Sequence, residues 1–148
     1  MSPPATKPGT VSLDALLTAV RNAVDSGRIG SPVNVRVHWQ FSGTDVKAAA
    51  LAAVRIADEA LALDEPAWRV RTGKLEASKG RMLNVLGEDR RGRTLLATLC
   101  RGEANEFALT VFGNHGTLRL EHAGLDENSL GAVDSDAAWR QSLAEAIA

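Results

Sequence analysis

The feature that most constrains the fold is the alternation in residues 33–41. Val33, Val35, Val37, Trp39 and Phe41 fall on one side of an extended chain, and Asn34, Arg36, His38 and Gln40 fall on the other. Period two is the signature of a strand with one apolar and one polar face. Such a strand needs a cover on one side only. The cover follows at once, since Ser42-Gly43-Thr44-Asp45 breaks the strand and an alanine-rich run predicts a helix over 46–63. Alanine has high helix propensity and lets a helix lie close to a sheet. A second helix is expected over 13–26, with Ser12 as its cap, a stripe of Leu13, Leu16, Leu17, Val20 and Val24, and Gly27 as its stop.

Beyond Asp64-Glu65-Pro66 the pattern turns to strands. Trp68, Val70 and Thr72 alternate with arginines. Met82–Leu86 and Thr94–Cys100 read as a pair around a charged, glycine-containing tip at 87–93, and Phe107–Phe112 and Thr117–Glu121 as a pair around Gly113-Asn114-His115-Gly116. A terminal helix is expected over 137–147 in a segment that turns acidic. Residues 1–11, with three prolines, read as a disordered arm, and residues 12–148 as one domain. The fold class is therefore α+β: an open, mostly antiparallel or mixed sheet of about five to six strands with helices on one face.

Composition narrows the function classes. The 148 residues carry a net charge of −1, so a general nucleic-acid binder is disfavoured. A single cysteine excludes an intrachain disulfide and a Cys-based zinc site, and a reducing cytoplasm is the default setting. No apolar run approaches the ~20 residues that span a membrane. No Gly-x-Gly-x-x-Gly, Gly-x-x-x-x-Gly-Lys-[Ser/Thr] or Gly-x-Ser-x-Gly motif occurs, so the chain has no phosphate loop or nucleophile elbow to read. His38, His115 and His122 show no metal-ligand spacing, and no metal site is expected. Cys100 reads as a packing residue. Arg69 to Arg101 holds nine Lys/Arg and three acids, which fits a solvated sheet face with charged edges better than an anionic-partner patch. Trp39 and Trp68 are assigned to the apolar sheet face.

Three stretches occur together: VRNAVDSGRIGSPVNVRVHWQF (20–41), AAVRIADEALAL (52–63) and NEFALTVFGNHGTLRLEHAG (105–124). In that order they resemble the C-terminal domain of the glucose–fructose oxidoreductase/inositol dehydrogenase/MocA family, over about residues 13–148. Full-length members pair this domain with an N-terminal Rossmann domain that binds NAD(P). The resemblance implies an open sheet that helps build a sugar or polyol pocket and often forms the oligomer interface. It gives this chain no cofactor site and no Glu-Lys-Pro lysine. The family's Gly-x-His-x-x-Asp matches Val54-Arg55-Ile56-Ala57-Asp58, with Arg55 in the histidine position and Asp58 in the aspartate position. Arginine stays protonated and is a poor general base, though it can hold a polar substrate.

The expectation is a stand-alone, non-catalytic homologue of this domain that serves oligomerisation or substrate binding. Its partners would be further copies through the sheet face or a separate Rossmann subunit, with no nucleic acid and no membrane. Arg36, His38, Arg55 and Asp58 are the candidate substrate-binding residues, and none is assigned as catalytic. The alternatives are one half of a split NAD(P)-dependent sugar or polyol oxidoreductase, whose NAD(P) would come with the other chain, and a small-molecule module unrelated to redox.

Overall fold

The computed structural model describes residues 9–75, 80–102, 104–132 and 139–147. The element order is α1 (Leu13–Asp25), β1 (Pro32–Phe41), α2 (Val46–Leu61), β2 (Ala67–Leu75), β3 (Gly80–Glu88), β4 (Thr94–Arg101), β5 (Glu106–Gly113), β6 (Thr117–His122), a 3-10 turn (Glu127–Ala132) and α3 (Trp139–Ile147). The strands form one sheet in the order β2-β3-β4-β1-β5-β6. β1 runs parallel to β4 and antiparallel to β5, and the other neighbours are antiparallel. The sheet is thus mixed, with a single parallel pair at its centre.

Period two in β1 fixes the layering. Val35, Val37, Trp39 and Phe41 are buried, while Arg36 and His38 are exposed. Val33 departs from the expected apolar row and is 45% exposed. A register irregularity between Pro32 and Asn34 takes it out of the alternation. Trp39 packs against Phe41 and Phe107, with ring centroids 4.8 and 6.3 Å away. Trp68 is half-buried, and its indole N–H donates to Ser142 Oγ on α3 at 2.9 Å.

Helix α2 lies on this buried face. Ala49, Ala50, Ala52, Ala53, Ala57 and Ala60 are buried with Val54, Ile56 and Leu61. It ends at Leu61, before the expected 63, because Ala62 adopts the left-handed conformation (φ 49°) that stops a helix. α1 packs on α2, with Ser12 accepting from Ala15 N and Gly27 (φ 74°) beyond its last turn. The expected start of the last helix and residues 1–8 of the expected arm lie outside the described residues. Val11 pairs with Leu125 as an isolated bridge.

The two glycine turns that carried the family resemblance meet in space. Asn114 N donates to Ser31 O, His115 N donates to Ile29 O, and Ser31 N donates to Asn114 Oδ1. A Cβ on Gly113 would stand 2.0 Å from Ile29 O, and one on Gly30 (φ 74°) would stand 2.0 Å from Asn114 Oδ1. Each glycine leaves room for the other turn. Gly113→Ala is expected to cost about 2–3 kcal/mol, because the atom in the way is backbone and cannot rotate aside. Gly92→Ala is the control: φ is 80° but nothing lies within 4 Å, so only the left-handed penalty of about 1 kcal/mol remains. Urea denaturation of the two variants checks the difference.

Candidate functional site

The sheet face away from the helices carries the exposed polar rows. Cross-strand register sets Arg71, Asn84, Thr98, His38, Ala108 and Glu121 side by side across all six strands. The next row holds Arg69, Leu86, Leu96, Arg36, Thr110 and Arg119. The Arg36 guanidinium lies 5.5 Å from the centre of the Phe112 ring, within cation–π range. His38 Nε2 is 3.2 Å from Gln40 Nε2. Leu86 is 42% exposed, and Leu96, Ala108 and Phe112 are half-buried. The face is therefore amphipathic, with apolar residues between cations.

At one corner this face forms a cleft of about 590 Å³ lined by Ala67, Arg69, Leu86, Glu88, Arg90 and Thr94, among others. That volume is within the range of small-molecule sites.

Arg55 and Asp58 are elsewhere. The Arg55 guanidinium bonds Glu59 at 3.3 Å, one turn along α2, and the same carboxylate oxygen receives Arg21 from α1 at 3.0 Å. The ion pair with Glu59 holds the Arg21 guanidinium above its usual value. Asp58 Oδ1 accepts from Leu63 N at 2.8 Å and so serves the end of its own helix. The structure thus brings Arg36 and His38 together on the open face, and places Arg55 and Asp58 in the helix layer. The sheet lies between the two pairs.

The basic residues of 69–101 also divide. Arg69 and Arg71 stand on the open face. Arg91 and Arg93 turn inward and donate to the carbonyls of Ala62 and Leu61 at the end of α2. Asp89 organises that loop. Its Oδ1 accepts from Arg91 N and Arg93 N at 2.9 Å each, and its Oδ2 accepts from Asp64 N at 3.2 Å. Burial pushes the Asp89 carboxyl up, but these N–H donors and the Arg91 charge outweigh it, and the group sits below its usual value.

Sequence reasoning did not find Glu127. Its carboxylate accepts from Gly43 N at 2.9 Å and from the Thr44 hydroxyl, closing the β1–α2 turn from the far end of the chain. This is the strand-to-helix turn that leaves the parallel strand β1, the position where a dinucleotide fold holds phosphate. A carboxylate already bonded there would repel a phosphate, so these residues do not fit a nucleotide. Among the described residues no group of three or more His, Cys, Asp or Glu could hold a metal ion, and no helix is long and apolar enough to cross a membrane.

The architecture is that of part of several larger proteins whose structures are solved. Among solved structures the fold matches a probable dehydrogenase from Thermotoga maritima, with TM-score 0.61, 15% identity, 74% of this chain and 38% of that one. It also matches myo-inositol dehydrogenase from Corynebacterium glutamicum ATCC 13032 (TM-score 0.57, 14% identity, 74% and 38%). A third match is myo-inositol dehydrogenase from Lactobacillus casei in complex with NAD(H) and myo-inositol (TM-score 0.56, 15% identity, 70% and 35%). The chain spans between 35% and 38% of these proteins, which fits the C-terminal domain of the glucose–fructose oxidoreductase/inositol dehydrogenase/MocA fold alone. No family model matches the sequence, and no curated protein does.

Two predictions follow from the titrating groups. The stability that Asp89 contributes is complete above the unfolded value near 3.8 and is lost as pH falls through the lower folded value. Asp89→Asn should therefore lose about 1–3 kcal/mol at pH 7, and the gap to the parent should close below pH ~4 in a urea series. Burial pushes the Cys100 thiol up. Alkylation at pH 8 should then run at least ~10-fold slower in the native protein than in urea, read by mass spectrometry.

Proposed function

We propose that this chain is a binding and assembly domain that performs no hydride transfer by itself. In this reading it corresponds to the dehydrogenase C-terminal domain, and it works as a homo-oligomer through its open sheet face or beside a Rossmann domain. The reading rests on a fold that matches 35% of the length of one myo-inositol dehydrogenase chain and 38% of another, together with a β1–α2 turn closed by Glu127. The amphipathic open face supports the assembly half. Arg36 and His38 would meet a partner or a polar ligand there. Arg55 would hold charge and not move a proton, since a guanidinium stays protonated. A reducing cytoplasm suits its free, buried thiol.

Native mass spectrometry of the protein from its own source tests the assembly. A homo-oligomer or a complex with a Rossmann subunit is expected, and Thr98→Arg, on the central strand β4 of the open face, should dissociate a face-to-face oligomer. Turnover of NAD(P) with polyols by the purified chain alone would overturn the reading. So would a monomer with no partner.

The corner cleft favours a second reading, a small-molecule module unrelated to redox. Its prediction is a ligand-induced rise in Tm without any partner, across a panel of polyols and sugar acids. Leu86→Glu, at the cleft wall, should abolish that rise.

A further inference from the structure

The sheet has two outer edges, and they are not alike. Strand β2 ends one side and β6 the other. An edge strand offers unpaired N–H and C=O groups to any second strand, and its side chains decide which strands can use them. In an antiparallel pair of identical strands around a two-fold axis, residues directly opposite share a face. The strand therefore centres on one residue, and its neighbours pair across that centre.

For β2 every such register near its middle is repulsive. Centring on Val70 sets Arg69 against Arg71 of the other copy, and centring on either arginine sets it against itself. β2 is also engaged by α3 through Trp68 and Ser142. For β6 one register is favoured. Centring on Leu120 sets Arg119 against the partner's Glu121, and Glu121 against the partner's Arg119. Leu120 then meets its own copy, and Leu118 meets the partner's His122. Moving the centre by one residue in either direction stacks Arg119 on Arg119 or Glu121 on Glu121. Like charges directly opposite are unfavourable, and opposite charges favourable.

Three further observations fit this register. Arg119 Nη2 and Glu121 Oε1 are already 2.8 Å apart within the strand, with side chains 59% and 44% exposed, so pairing would extend one ion pair into a ring of four charges. Leu118 and Leu120 are only partly buried although they pack against the core. A cleft of about 460 Å³ bordered by Ala23, Ser26, Ile29, Thr117 and Leu118 lies beside the edge on the helix side, which leaves room for a second copy's side chains.

We propose that β6 is an interaction edge for a second copy of this chain, joined antiparallel with its centre at Leu120 to continue the sheet across the two-fold axis. Arg119 and Glu121 stand at the rim of the open face, but the contact is made along the edge of β6 and does not require two faces to stack. Its axis is perpendicular to the sheet, whereas a face-to-face axis runs parallel to it, so the two contacts can coexist in a closed assembly.

The test uses the full chain. Arg119→Cys and Glu121→Cys are each made in a Cys100→Ser background, mixed and oxidised. The mixture should yield a 119–121 cross-linked dimer in higher amount than either variant alone. In sedimentation, Arg119→Glu should weaken self-association at least ~10-fold, and Arg119→Glu with Glu121→Arg should restore it. Restoration separates the edge contact from any loss of folding, which circular dichroism monitors. Thr98→Arg, three strands away from β6 on the open face, should leave the 119–121 cross-link in place. Failure of the cross-link, failure of the double reversal to rescue, or a parent protein that sediments as a monomer would overturn the proposal. If Thr98→Arg alters neither the assembly nor the cross-link, the open-face reading fails and this one stands.

Discussion

The structure depends on the burial of α2 against the centre of the sheet. Six alanines let the helix backbone lie close over β1 and β4, and Val54, Ile56 and Leu61 fill what remains. Everything around it holds that contact in place. Glu127 ties down the turn before the helix, and Arg91 and Arg93 satisfy carbonyls after it. Glu59 receives arginines from both α1 and α2. Of these four arginines, Arg55 is a candidate binding residue by sequence, while Arg91 and Arg93 fall in the stretch expected to be a solvated, charged sheet face. Helix ends leave orphan carbonyls, and a chain with few other donors nearby spends guanidiniums on them.

That expenditure decides the site. Arg55 and Asp58 match a family motif in spacing, yet both side chains already have partners in the helix layer. Arg36 and His38 lie across the sheet from them and face outward. What they share is a surface built from cross-strand rows, not a pocket with convergent groups. On that surface the cations are separated by Leu86, Leu96 and Phe112, which makes it amphipathic.

The glycine turns show why resemblance can reside in residues with no chemistry. Gly30 and Gly113 are 83 positions apart, and each leaves space for the backbone or side chain of the other's turn. Their interlock holds the start of β1 to the β5–β6 hairpin, which fixes the order of half the sheet.

Much of this was legible in the sequence, for local reasons. Alternation in 33–41 determined a two-faced strand, the alanine run determined a close-lying helix, and the glycine and charge clusters determined where hairpins turn. The α+β class and the one-sided helix layer followed. Period and propensity are properties of neighbours in the chain, and they are readable there. What tertiary structure alone decided is pairing between distant residues. It put β1 parallel to β4 at the centre, released Val33 at a bulge, and brought Glu127 to Gly43 and Thr44. It separated Arg36 and His38 from Arg55 and Asp58 by the thickness of a sheet, and left β6, with its alternating Arg119 and Glu121, outermost in the sheet among the described residues. Spacing says which residues share a face of one element, but only packing says which faces meet.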